Sequence, residues 1–474
     1  MNLRSQRIAI VGGGIAGLTA AWELARLAQA GAPVEATLFE ASPRFGGTVE
    51  TVRREGFTIE CGPDGWVTEK PWVRDLAVEL GLVGELIASN DATRVTYILN
   101  HGRLEPMPDG MRMMVPTDLA ALAASPLFSP AAREAYAAEP SRAASLKSAA
   151  PATDESIAAF VERHFGREVL EKVGAPLLSG VFGGDVGRLS VRAVMPRFVE
   201  MERVHGSLIQ ALQQLAAVHA GRTPQPIFTT LTSGVGSLID RMLAAIAPEW
   251  LHASSPVRSI ERTETGWTLS GNFGRETFDA LVLAAPAHEA QRLLAPILPK
   301  AAPLLALAAS SAIIVAFAFS ADFYLPQGFG FLVPAGEQSA LLAATFTDQK
   351  FPNRAPAGKR LLRAFFGGER LSARDPRSDA ALAQQALSEL EKILGPLPSP
   401  DFHVVRRWPR SLPQYEVGHL ERMNRLDALI ATEPNLYLLG NAYRGVGLPD
   451  LIRDGRQAAQ NLAQHQSGSV PSSL

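Results

Sequence analysis

The chain has 474 residues and a formal charge of −2, so it is long enough for more than one domain and carries no electrostatic footprint for nucleic acid. Its single cysteine, Cys61, excludes a disulfide within the chain and suits a reducing compartment. The most apolar run, 301–319, is broken by Pro303, Ser310 and Ser311, which argues against a membrane span. The first strand starts at once, so no signal peptide and a cytoplasmic location are expected.

Ile8–Val11 is a short apolar run that predicts a buried parallel strand. Gly12, Gly14 and Gly17 follow as GxGxxG: the first for a tight turn, the second for close approach to a pyrophosphate, the third for helix–strand packing. Ile15 and Ala16 open the helix, whose amides attract phosphate. Val34–Phe39 predicts a second strand ending on Glu40, 23 residues past Gly17, where a carboxylate meets a ribose 2′-hydroxyl and disfavours NADP. Ala41 follows, then Pro43-Arg44-Phe45-Gly46-Gly47, a glycine bend that brings backbone and Arg44 to cofactor phosphates. The competing readings are an ordinary βαβ turn and a solvated surface arginine.

Residues 48–60 alternate and predict a hairpin around Glu55-Gly56, followed by the turn Gly62-Pro63-Asp64. Cys61 reads as a small packed residue. Pro71–Leu80 predicts a helix ended by Gly81, and Arg94–Leu99 a strand. Residues 107–196 are alanine-rich with helical spacing, as expected of an inserted subdomain. Met111, Met113, Met114, Val115, Leu119, Leu122, Leu127 and Phe128 near its start are core, pocket lining or an apolar patch for a membrane surface. Gly180, Gly183 and Gly184 then permit close backbone approach to a flat ligand. Strands are expected at 257–260, 267–270, 281–283, 313–315 and 435–439. His419, before an apolar helix, is either structural or a base. Gly440–Asp450 opens the last helix, with Pro449 suited to its first position.

GxGxxG, Glu40 and the Arg44-Phe45-Gly46-Gly47 bend together resemble FAD enzymes of the amine oxidase and phytoene desaturase superfamily. The Gly62–Asp64 turn, Gly180-Val181-Phe182-Gly183-Gly184, the run 328–334 and segments 351–356 and 365–368 resemble oxygen-dependent protoporphyrinogen oxidases, and the likeness covers essentially the whole chain. It implies an α/β fold: a discontinuous Rossmann-like FAD domain (1–91, 226–296, 426–474), a mixed-sheet substrate domain (92–107, 197–225, 297–425) and a helical subdomain (108–196) that associates with membranes in relatives.

The resemblance implies non-covalent FAD, because relatives with a covalent link use a cysteine near the C-terminus. Cofactor contacts are expected at Gly12, Gly14, Ile15, Ala16, Gly17, Glu40, Ala41, Arg44, Gly46, Gly47, Gly62, Pro63, Asp64, Val257, Ala285, Trp408, Gly440, Val446, Gly447 and Leu448. Substrate contacts are expected at Arg94, Thr96, Gly183, Leu332, Thr345 and Phe365. Arg94 is expected to share a strand face with Thr96 and anchor a propionate, with Lys70 next in line. Neither a metal nor a catalytic side chain is expected. The implied activity is oxidation of protoporphyrinogen IX to protoporphyrin IX with O₂, in haem synthesis. The alternatives are coproporphyrinogen III, which needs more cations, an amine oxidase or carotenoid desaturase, and a Rab-escort-like binding protein. The implied partners are the porphyrinogen, O₂, a membrane surface and a ferrochelatase.

Overall fold

The computed structural model describes residues 4–218, 225–368 and 375–467; the expected segments 197–225 and 426–474 therefore run partly outside the described residues. A five-stranded parallel sheet runs in the order 251–252, 34–39, 6–11, 280–283, 436–438. Its strands come from three distant parts of the chain, the discontinuity expected of a Rossmann-like unit. Ile8, Ile10, Leu281 and Leu283 are fully buried, which is why these strands read as continuous apolar runs.

Helix Ile15–Gln29 is buried along its first eleven residues. The last helix, Leu448–Ser467, packs across it, and a Cβ on Gly455 would lie 2.6 Å from the Ala16 carbonyl. Gly455 thus sets how closely the two helix starts approach. That helix begins at Leu448, so Pro449 takes its second position rather than its first.

A mixed seven-stranded sheet runs 402–413, 309–319, 360–367, 343–346, 330–332, 96–100, 103–106, antiparallel except where 330–332 meets 96–100. One of its faces packs on helix Asp379–Leu394 through Leu362, Ala364 and Phe366. The other turns toward the parallel-sheet unit and a layer of helices. The second half of the apolar run, Ala309–Phe319, is an interior strand of this sheet, second from one edge, and no described helix is long and apolar enough to cross a membrane.

The helical layer is not helical throughout: Met111–Arg112 and Val115–Pro116 form a short antiparallel pair around Met113, whose φ is 53°. Helices Pro196–His205 and Leu208–Val218 pack into the same apolar cluster as those before them. Met114, Val115, Leu122, Leu127 and Phe128 are buried in that cluster, Met111 and Leu119 pack against it, and Met113 is exposed. The stretch is therefore core, not a surface patch.

Candidate active site

The glycine turn leads from the first strand into helix 15–29. A Cβ on Gly12 would lie 2.6 Å from Ala284 O, and one on Gly17 2.0 Å from Gly12 O. Both glycines are required by packing within the chain. Gly14 differs: a Cβ there meets nothing within 4 Å, and it caps the helix without a side-chain hydrogen bond. Open space at a bare helix start is what a phosphate needs. The Glu40 carboxylate accepts from Gly13 N at 2.7 Å and Ser42 N at 2.8 Å, so it stands against the turn. These residues fit a dinucleotide.

Arg44 donates to the carbonyls of Phe45, Val49 and Gly47, so it braces its own bend. Arg406 grips Glu50 through both carboxylate oxygens, at 2.6–3.0 Å, and ties this loop to the mixed sheet. Trp408 does not stand free for a cofactor: its indole N–H donates to Cys61 O at 2.6 Å and supports the start of the 62–64 turn. At Val257, Arg292 already donates to the carbonyl at 3.1 Å.

The hairpin 51–60, turning at Glu55 and Gly56, delivers Gly62–Asp64 onto the inner face of the mixed sheet. Register decides what shares that face. Ile98, Leu332, Ala343, Phe365 and Ile314 are successive partners across five strands. The neighbouring row is Thr96, Gly330, Thr345, Arg363 and Ala316. Paired residues point to the same side of a sheet, so Thr96, Leu332, Thr345 and Phe365 form one surface. Leu332 also packs against the helical cluster, as does Val446 from the loop before the last helix. The helical layer therefore touches both the expected substrate surface and the expected flavin loop.

Arg363 joins this surface, and the sequence reading missed it. It is 2% exposed. It donates to Gly62 O at 2.5 Å, lies 3.2 Å from the Asp64 carboxylate, and sits 5.0 Å over the Phe365 ring. Lys350 holds both Asp64 oxygens, at 2.9 and 3.0 Å. Burial alone would raise the Asp64 carboxyl, but Lys350 and Arg363 outweigh it and hold it down to about 2. Deeper still, fully buried Arg354 lies 3.4 Å from fully buried Glu60 and donates to Thr230 Oγ1 at 2.6 Å. Burial pushes the Glu60 carboxyl up, against the pull of Arg354. The signal was in the sequence: an arginine inside an apolar strand, in step with Phe365.

The loop before the last helix, 440–447, lies at the end of the parallel sheet. Gly440 and Gly445 have φ of 138° and 151°, and the Asp450 carboxylate crowds Gly445, where a Cβ would be 2.7 Å away.

A model of the flavin-containing amine oxidoreductase family matches residues 15–463. The chain belongs to that family. It is 32% identical over 471 residues to coproporphyrinogen III oxidase of Bacillus subtilis, covering 97% of this chain and 98% of that one. It is 30% identical to protoporphyrinogen oxidase 1 of Arabidopsis thaliana chloroplasts, covering 95% and 86%. A crystal structure from Exiguobacterium sp. 255-15, named provisionally as a protoporphyrinogen oxidase, superposes with a TM-score of 0.85 at 32% identity, over 98% and 100% of the two chains. Putrescine oxidase, at 18% identity and a TM-score of 0.67, shares the fold. The protein is thus a flavin-dependent oxidoreductase of the amine oxidoreductase family, with porphyrinogen oxidases among its relatives.

Against this family's fold, three expected substrate residues stand differently from their sequence reading. Arg94 does not share a strand face with Thr96. The strand starts at Thr96, because a turn at Asp91–Thr93 precedes it, with Asp91 bonded to Ser89 and Ile227. Arg94 is exposed after that turn, and among the described residues no carboxylate pairs with it. Lys70 is no free cation: Asp450 holds it at 2.7 Å. Gly183 ends helix Ala175–Phe182 in the left-handed region, and its close neighbour is Ser310, whose Oγ lies 2.6 Å from where a Cβ would be. A Cβ on Gly330 would lie 2.0 Å from Ala344 O. These signature glycines meet protein atoms, which accounts for them without a ligand.

Proposed function

We propose that this oxidoreductase converts a porphyrinogen into the porphyrin, with non-covalent FAD and O₂ as acceptor, and that its substrate is coproporphyrinogen III. The observation that carries the reading is the shared sheet face. Leu332 and Phe365 offer a broad apolar surface beside the Gly62–Asp64 turn, under a helical cover, as a flat macrocycle needs. FAD, when bound, supplies the hydride acceptor and passes the electrons on to O₂ as H₂O₂.

The residues of this chain hold and orient. The Gly12–Gly17 turn and helix start would receive the pyrophosphate, and Glu40 the ribose. Ala41, Gly46, Gly47, Ala285 and the 440–448 segment would line the rest of the cofactor. The start of helix 448–467 offers its positive dipole end to an anionic ring edge. The sheet face and helical layer exclude water from the macrocycle. No side chain is assigned as acid or base, since loss of pyrrole N–H protons and imine–enamine shifts belong to the substrate. Cys61 is buried and its thiol is pushed up to about 11, chiefly by burial, which opposes a covalent flavin link.

Coproporphyrinogen III is preferred because relatives bearing that name match nearly the whole chain, including one from Propionibacterium freudenreichii at 33% identity. Arg94, exposed and without a carboxylate partner among the described residues, suits its extra propionates. Protoporphyrinogen IX is the second reading, favoured by the Arabidopsis relative. Transfer of the product to a ferrochelatase belongs to the same proposal. The test is to assay the purified yellow protein on each porphyrinogen by porphyrin fluorescence, after acid precipitation has shown free flavin in the supernatant. Faster turnover of coproporphyrinogen, with Arg94→Ala raising its KM, is expected. Flavin-loaded protein that forms porphyrin from neither substrate would overturn the reading.

A further inference from the structure

The turn before helix His419–Ile430 and the helix's first residue carry two buried aromatic rings that face the 440–447 loop. Tyr415 is 3% exposed and His419 2%. Their rings stack with centroids 3.9 Å apart and planes 12° apart. The Tyr415 hydroxyl donates to Asn441 O at 2.7 Å and accepts from Gly445 N at 2.9 Å. His419 Nε2 meets Tyr443 O at 2.9 Å. A carbonyl only accepts, so Nε2 carries the proton, and Nδ1 is left buried with no partner among the described residues. Burial pulls this imidazole below its ordinary value, and it stays neutral.

The same turn is fastened on its other side to the helical layer. Ser190 N donates to Tyr415 O at 2.7 Å, and Val417 N to Arg188 O at 2.9 Å. Gly418 N donates to the Asp154 carboxylate at 2.9 Å, and Arg188 pairs with Glu416 at 2.7 Å. Two side chains thus hold three backbone groups of one short loop, from a base anchored in the cover. A buried neutral ring donating to a carbonyl is in no position to take a proton from a substrate.

We propose that Tyr415 and His419 are positioning residues. They fix the backbone of 441–445, and with it the start of helix 448–467, in the geometry that favours the reduced flavin. The inference rests on the flavin occupying that loop, as in the reading above. A loosened loop points its amides and the helix end less well at developing negative charge, so the flavin becomes harder to reduce.

The test uses the full-length protein and three variants: Tyr415→Phe, His419→Leu and His419→Gln, each checked for folding by circular dichroism. FAD affinity is measured by titrating the deflavinated protein, and the flavin reduction potential on the reloaded protein. Tyr415→Phe and His419→Leu should each weaken FAD about tenfold, as for a lost buried hydrogen bond, and make the potential more negative. His419→Gln, which keeps an N–H donor, should return to within about threefold of wild type in affinity. Wild-type affinity and potential in Tyr415→Phe would overturn the proposal, as would a His419→Gln that falls as far as His419→Leu. If Tyr415→Phe does not fold, the two His419 variants decide alone. Wild-type protein that takes up no FAD would instead defeat the functional reading.

Discussion

Replacing Arg363 by Met would keep most of the apolar stem and delete the charge. At 2% exposure the guanidinium is not screened by water, so the surface-pair discount does not apply. The change removes the Asp64 contact at 3.2 Å and the donor to Gly62 O at 2.5 Å. Breaking a buried pair costs about 3–5 kcal/mol. Lys350 still holds Asp64 and lowers that figure, while Gly62 O, left without its donor, adds about 1 kcal/mol. The expected loss is about 3 kcal/mol in the unfolding free energy of the FAD-loaded protein, read from urea titration followed by tryptophan fluorescence. The acid limb moves as well. The Asp64 carboxyl ordinarily titrates at 3.8 and is held to about 2, so its contribution is present above pH 3.8 and lost as pH falls toward 2. That contribution is roughly 2 kcal/mol. In Arg363→Met the carboxyl rises toward its ordinary value, and acid unfolding should begin at higher pH. A loss below about 1 kcal/mol with an unchanged acid midpoint would refute the argument that this ion cluster holds the turn against the sheet.

Three further outcomes are expected. Phe365→Ala should cost about 2 kcal/mol in kcat/KM for the porphyrinogen and leave flavin content unchanged, because its ring belongs to the sheet face proposed for substrate; full activity would remove it from the site. Glu40→Ala should weaken FAD by about 1.5–3 kcal/mol in a fluorescence titration, since it loses the ribose acceptor and frees Gly13 N; equal affinity would mean the ribose lies elsewhere. Gly455→Ala would press a methyl to 2.6 Å from the Ala16 carbonyl and should cost about 1–3 kcal/mol; an unchanged thermal midpoint would show that the two helices can part without penalty.

The dinucleotide half of the protein was legible in the sequence because its requirements are local. A strand, a glycine turn, a helix and a terminal acid lie within residues 6–40, and each has a backbone reason readable from residue type and spacing. The same holds for the hairpin at 51–60 and for the strand and helix that close the chain. The substrate surface was legible only in part. Leu332, Thr345 and Phe365 could be named from a resemblance, but their meeting depends on strand register over three separated segments, which no local pattern carries. Arg94 failed as a strand residue because a turn fixed by distant Ile227 decides where the strand begins. Asp64, Lys350 and Arg363 lie up to about three hundred residues apart in the chain, and although Asp64 was named for its turn and Arg363 stands out in an apolar strand, nothing local pairs the three. Only the tertiary structure could assemble them, because a buried charge is stable only where the fold brings its partner to it.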